Sequence, residues 1–219
     1  MFMKDVKTLT TGFVRNRQLP SSLVVIGAGT GGPQALADIL PRFPEAFSGT
    51  IIVVQQMRPG FTRVLANHLN EICHMPVYEP VDGQELHPSE ILMVPGGTLL
   101  TIPMPEDNSA CIIRLEDIVD DPENLNTRTN QTMASVAELY GRDAVGVLLT
   151  GMGNDGRDGM RAISDARGNT IAQDEESSTI FDLPSSAIDG GAAHEVLPPW
   201  NIADHIMSII VEEANASAA

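Results

Sequence analysis

Val24-Val25-Ile26-Gly27-Ala28-Gly29-Thr30-Gly31-Gly32-Pro33 runs three branched apolar residues into a glycine-rich turn, and a helix-like segment follows. Strand, tight turn and helix start is how α/β proteins expose a reactive side chain or hold a phosphate. At the apex of this turn, position 29 is glycine and has no side chain to react. The stretch is either a loop built to bind or a reactive turn without its nucleophile.

The rest of the chain repeats the same alternation. Short, branched, nearly all-apolar runs recur at 23–26, 50–54, 91–94, 144–149 and 170–172. Such runs are the signature of strands buried on both faces of a parallel sheet. Segments with helical spacing of apolar residues alternate with them, at 33–40, 61–72, 132–140, 159–166 and 202–212. The expected fold is therefore a single doubly wound α/β domain, with a mainly parallel sheet and helices on both faces. Between 76 and 118 the pattern changes to short β-like pieces with Pro and Gly turns. An antiparallel excursion at the sheet edge is expected there. Residues 1–21 are polar and unpatterned and are expected to be a tail or linker, leaving 22–219 as the domain.

Bulk properties exclude some functions. The 13 basic and 29 acidic residues give a net charge of −16, which argues against nucleic acid or an anionic membrane as a general partner. Part of the charge is a local acidic run at 116–123, read as a solvated loop. No apolar run approaches the roughly 20 residues of a membrane span, and the N-terminus lacks the apolar core of a signal peptide. A cytoplasmic location is expected. Cys73 and Cys111 are too few and too far apart for a disulfide framework or zinc site, and read as buried free thiols.

In an open α/β sheet the site lies beyond the carboxyl ends of the strands. The turns at 27–32, 55–60, 95–97, 150–156 and 173–178 should therefore converge on one cleft. Gly27-x-Gly29-x-x-Gly32 fits the dinucleotide fingerprint, but that motif needs an acidic residue at the end of the second strand. Gln55-Gln56-Met57 stands there instead, and Pro33 suits a helix start with no ligand at all. A purely structural reading, glycines that let a strand turn tightly, does not account for the polar turns at 150–156 and 173–178. Asp155, Asp158, Asp174, Glu175 and Glu176 lie on strand-end turns and present oxygens of the kind a hard cation takes. They read better as helix caps and dipole partners, since no known ligand spacing matches. No cofactor and no metal is expected.

Taken together the motifs resemble the catalytic domain of the CheB protein-glutamate methylesterases of bacterial chemotaxis. IGAGTGG is similar to that family's IGASTGG, and QQMRPGFT to its QHMPPGFT. LLTGMGNDGRDGM is similar to LTGMGNDGAAGM, and IAQDEESSTIFDLPSSAI to IAQ(D/N)E.S..VFGMP..AI. The resemblance runs in register from Leu23 to the C-terminal helix. It implies a serine on the first turn that attacks a receptor glutamyl methyl ester. It also implies a histidine on the second turn as base, an aspartate that orients it, and backbone N–H groups for the oxyanion. Carried across, the nucleophile position is Gly29 and the base position is Gln56. The acid is retained as Asp155, the following threonine as Thr30, and the oxyanion-hole methionine as Met152.

Other departures gather around the same place. Leu99 stands where the family's APG..H places histidine, and 125–130 (LNTRTN) replaces RHRPSVD. Thr30, Ser177 and Ser178 are the nearby hydroxyls, and none of the histidines (His68, His74, His87, His194, His205) falls on a strand-end turn. Glycine forms no acyl-enzyme and a glutamine amide has no useful basicity near neutral pH. The resemblance with these substitutions implies a catalytically dead homologue acting as a binding or regulatory module. Its partners would be cytoplasmic segments of methyl-accepting chemoreceptors or other chemotaxis signalling proteins. The alternative is an active esterase with a non-standard site. Gly29 is expected to keep the backbone path of a nucleophile turn, because glycine tolerates strained conformations. Family members often carry an N-terminal receiver domain, and the roughly 20 residues before Leu23 are too few to fold as one.

Overall fold

The computed structural model describes residues 19–105, 110–118 and 127–217, with backbone alone for 212–217. The N-terminal segment up to residue 18 and most of the acidic run lie outside the described residues. The main sheet is built from β1 Leu23–Ala28, β2 Thr50–Gln55, β3 Val77–Tyr78, β4 Glu90–Met93, β7 Ala144–Leu148, β8 Asn169–Gln173 and β9 Glu195–Leu197. These seven strands lie in the order β3-β4-β2-β1-β7-β8-β9, and every neighbouring pair is parallel.

Among the described residues six α-helices accompany the strands: α1 Gly32–Ile39, α2 Phe61–Ile72, α3 Arg128–Tyr140, α4 Arg157–Asp165, α5 Asp182–Asp189 and α6 Pro199–Ser217. Alternate strand residues feed two separate cores, as the period of two in a strand requires. Val24, Ile26, Ile51, Val53, Val145 and Val147 pack with Leu36 of α1, Leu69 of α2 and Ile206 of α6. Leu23, Val25, Ile52, Val54 and Leu148 pack on the other face with Met133 of α3, Met160 of α4 and Ala187 of α5. Strands β1, β2, β4 and β7 are buried throughout, which is why they read as unbroken apolar runs. Among the described residues no helix is long and apolar enough to cross a membrane.

The segment 76–118 corrects the sequence expectation in part: the run at 91–94 is a buried parallel strand as expected, whereas the antiparallel excursion is not at the sheet edge. Both β3 and β4 run parallel inside the main sheet, and β4 lies between β2 and β3. Strands β5 Thr98–Thr101 and β6 Arg114–Asp117 pair antiparallel and form a separate ribbon, and an antiparallel bridge joins Glu85 to Ile112 beside it. That ribbon sits on α3, where Thr132 Oγ1 donates to the Leu100 carbonyl at 2.8 Å. Leu100 of β5 and Ile113, just before β6, are fully buried, so a core contact and not a free sheet edge selects its place. Of the two thiols Cys111 is buried, whereas Cys73 is only partly so. Burial pushes the Cys73 thiol up to about 11.

Candidate functional site

Three strand-end turns and one helix start meet beyond the carboxyl ends of the central strands. The cleft between them has a volume of about 830 Å³. Gln56, Met57, Arg58 and Pro59 line it after β2, Gly97 after β4, and Met152, Gly153, Asn154 and Asp155 after β7. Arg128, the first residue of α3, closes the remaining side. The chain crosses from one half of the sheet to the other between β1 and β7, which makes this the switch point where α/β sheets place ligands.

Gly29 follows β1 at the base of this cleft. Its N–H donates to the Thr150 carbonyl at 2.9 Å, and its own carbonyl accepts from Gln55 Nε2 at 2.8 Å. A β-carbon at position 29 would stand 2.8 Å from Gln56 Oε1, 2.8 Å from Gly151 Cα and 3.4 Å from Met152 N. Positions 29 and 56 are therefore adjacent, and the Met152 amide lies beside position 29. The left-handed residue of the turn is Gly31, with φ 86°, where it caps α1; Gly29 lies outside that region. Close approach of the Gly151 backbone, and not a strained φ, is what position 29 demands of its residue. This corrects the reason expected for glycine there.

Asp155 is 5 % exposed, and its carboxylate is committed elsewhere. Its oxygens accept from the backbone N–H of Thr129 and Asn130, each at 3.0 Å, and so cap the start of α3. Asn130 returns the arrangement, because its Oδ1 accepts from the N–H of Gly156 at 2.9 Å and Gly159 at 2.8 Å at the start of α4. Two helix N-termini thus cap each other through one Asp and one Asn. Burial raises the Asp155 pKa, against the lowering effect of the Thr129 and Asn130 N–H bonds and the Arg128 charge. Arg128 is 4 % exposed. Burial lowers its pKa and the neighbouring Asp155 charge raises it.

Of the residues singled out from the sequence, Gln56, Met152 and Asp155 line the cleft, with Gly29 against Gln56. Thr30 is exposed and outside the lining, and its carbonyl accepts from Thr150 Oγ1 at 2.9 Å. The 173–178 turn does not reach the cleft as expected. It braces the 150 turn from behind, with Gln173 Oε1 accepting from Thr150 N at 2.8 Å. Ser177 donates its hydroxyl to Asp174, and Ser178 donates to the Asp174 carbonyl at 2.7 Å. Asp158 pairs with Arg157 at 3.0 Å. Leu99 is buried in the ribbon. None of the five histidines lines the cleft; His194 instead contacts Ser164 at 2.9 Å on the far side of α4.

Sequence reasoning missed Arg58, Arg128 and Asn130. Arg128 gave no signal as a cation opposing a helix dipole, because the expected helix began only at 132 whereas the observed one begins at Arg128 itself.

A doubly wound parallel sheet with a cleft at its switch point, lined by three strand-end turns and one helix start, defines the class of fold. The sequence profile of the CheB methylesterase family matches residues 24–206. The protein-glutamate methylesterase/protein-glutamine glutaminase 1 of Carboxydothermus hydrogenoformans is 39% identical over 188 residues, 86% of this chain and 55% of that protein. Its counterpart in Albidiferax ferrireducens is 40% identical over 186 residues, 85% of this chain and 49% of that one. The crystal structure of the Thermotoga maritima CheB methylesterase catalytic domain superposes with a TM-score of 0.79 at 35% identity, covering 86% of this chain and 98% of that one. The chain belongs to the CheB methylesterase family. It spans about half the length of these curated relatives.

Proposed function

We propose that this chain is a catalytically silent CheB-type domain of chemotaxis signalling that acts in the cytoplasm as a binding or regulatory module. It uses the cleft of Gln56, Met152 and Arg128 to hold cytoplasmic segments of methyl-accepting receptors. The observation that carries this reading is the pairing of Gly29 with Gln56. The two positions are adjacent, and neither residue can form or break a bond to an acyl carbon. Asp155, the one acid of the set, spends its carboxylate on the α3 amides. Thr30 is exposed outside the cleft lining, and the hydroxyl of Ser177 is bound to Asp174, so neither replaces the missing nucleophile.

The test is methyl release from a receptor peptide carrying a glutamyl methyl ester, with binding of the same peptide followed by fluorescence anisotropy. The expected result is saturable binding with no release above that of the peptide alone and no initial burst. Steady turnover that co-purifies with the protein would overturn the reading.

A further inference from the structure

The cleft carries more positive character than an ester site requires. Arg128 is almost fully buried, yet its guanidinium makes one long bond, from Nη1 to the Thr98 carbonyl at 3.4 Å, and its Nε is enclosed with no partner among the described residues. Burying a guanidinium with most of its five donors unspent is costly unless a ligand completes them. Arg58 stands exposed on the facing wall and makes no ion pair among the described residues. The N–H groups of Met152, Gly153 and Asn154 donate to nothing among the described residues. Helices α2, α3 and α4, of 12, 13 and 9 residues, all begin at this cleft and direct their positive ends toward it. Asp155, the one acid that lines the cleft among the described residues, has its oxygens turned to the α3 amides and offsets only part of this charge.

We infer that the cleft is a carboxylate site: it takes the free γ-carboxylate of a peptide glutamate in preference to the methyl ester or amide of the same residue. This rests on the receptor-segment reading above and sharpens it, since the domain would then read the demethylated state and not change it. A planar carboxylate matches a guanidinium in two parallel hydrogen bonds, which an ester or amide cannot accept with charge assistance. The Arg58 side chain closes from the solvent side and the free Met152 N–H takes a remaining lone pair. The whole-molecule charge of −16 repels an acidic peptide, so an acid preference runs against the overall field and isolates the cleft.

The experiment uses two receptor peptides that differ only in one glutamate, free or methyl-esterified, titrated onto the intact chain. N-acetylglutamate α-methylamide is titrated separately, with the amide signals of Met152 to Asn154 and the Arg128 Nε–H followed by NMR. The expected result is about tenfold or more tighter binding of the acid peptide, in line with a charge-assisted bidentate pair. Arg128→Gln should erase most of that preference, and the exposed Arg58→Gln, which leaves the core untouched, should erase part of it. Equal affinity for acid and ester overturns the carboxylate assignment and leaves the receptor reading standing. Perturbation of the Arg128 Nε–H by the small carboxylate, with no binding of either peptide, supports the site and overturns the receptor reading. Equal perturbation by inorganic phosphate at the same concentration overturns selectivity for a carboxylate, and silence from every probe overturns both.

Discussion

Replacing Asp155 with alanine should lower the melting temperature by roughly 5–15 °C, the largest stability effect expected of any cleft residue. Two buried or half-buried backbone donors, Thr129 N–H and Asn130 N–H, lose their acceptor together. Losing a helix cap costs about 0.5–2 kcal/mol, and orphaning a buried donor costs about 1–3 kcal/mol. Water entering from the cleft recovers part of this, so about 2–4 kcal/mol is expected, at about 2–4 °C per kcal/mol for a chain of this size. Asn130 loses its own anchoring when α3 frays, which frees the Gly156 and Gly159 amides in turn. Asp158→Ala is the comparison: it removes an exposed carboxylate paired with the adjacent Arg157 in the first turn of α4, and should cost no more than about 1 kcal/mol. Thermal unfolding of the two variants decides it. Equal midpoints would show that Asp155 does not cap α3. A lowered midpoint means that loss of Asp155 disturbs the cleft whether or not the cleft does chemistry.

The pH dependence follows from the same group. The Asp155 pKa is raised in the folded chain by burial, so the folded state binds this proton more tightly than the unfolded one. Its contribution to stability is greatest below the ordinary value of 3.8 and declines as pH rises through the folded pKa. Asp155→Asn removes that titration. The difference in unfolding free energy, natural chain minus Asp155→Asn, should therefore fall from pH 3.8 upward and level off once the folded group has ionised. Denaturant unfolding across that range measures it. A difference that rises with pH would mean that the Thr129 and Asn130 amides and the Arg128 charge outweigh burial.

Much of the frame was legible because burial writes itself into apolar pattern. Strands β1, β2 and β7 are sandwiched between two helical layers, and their runs of valine, isoleucine and leucine could be read without ambiguity. What escaped was short or held by partners distant in sequence. Strand β3 has 2 residues and β9 has 3, too few for any period to show. Helix α5 begins Asp182-Leu183-Pro184, and a proline so early reads as a turn although the first helical turn tolerates it. The ribbon of β5 and β6 was seen as antiparallel but misplaced, because its seat on α3 depends on hydrogen bonds such as Thr132 to Leu100 across 32 residues. Motif comparison located Gln56, Met152 and Asp155 at the cleft. It gave no hint that Asp155 and Asn130 cap each other's helices, nor that Arg128 is buried with donors to spare, since both facts depend on α3 docking against the 150 turn.

The chain carrying both Gly29→Ser and Gln56→His should release methanol from a glutamyl methyl ester at least about 10²-fold faster than the natural chain, the low end of what a positioned base contributes. Adjacency supports this: a β-carbon at 29 would point at the position 56 side chain, with the Met152 amide 3.4 Å away to receive developing charge. Either change alone should stay silent, because a nucleophile without its base, or the reverse, recovers little. Stability should drop, since the new β-carbon would lie 2.8 Å from Gly151 Cα and the two turns must part. Overpacking of this kind costs about 1–3 kcal/mol, which the fold tolerates if the variant is assayed well below its melting point. The carboxylate preference inferred for Arg128 and Arg58 adds a signature. The ester should show a high KM, and the demethylated peptide should inhibit the restored enzyme more strongly than the ester binds it. A folded double variant with no release would mean that the cleft has lost more than its nucleophile and base. Release without product inhibition would mean that the two arginines do not select the acid.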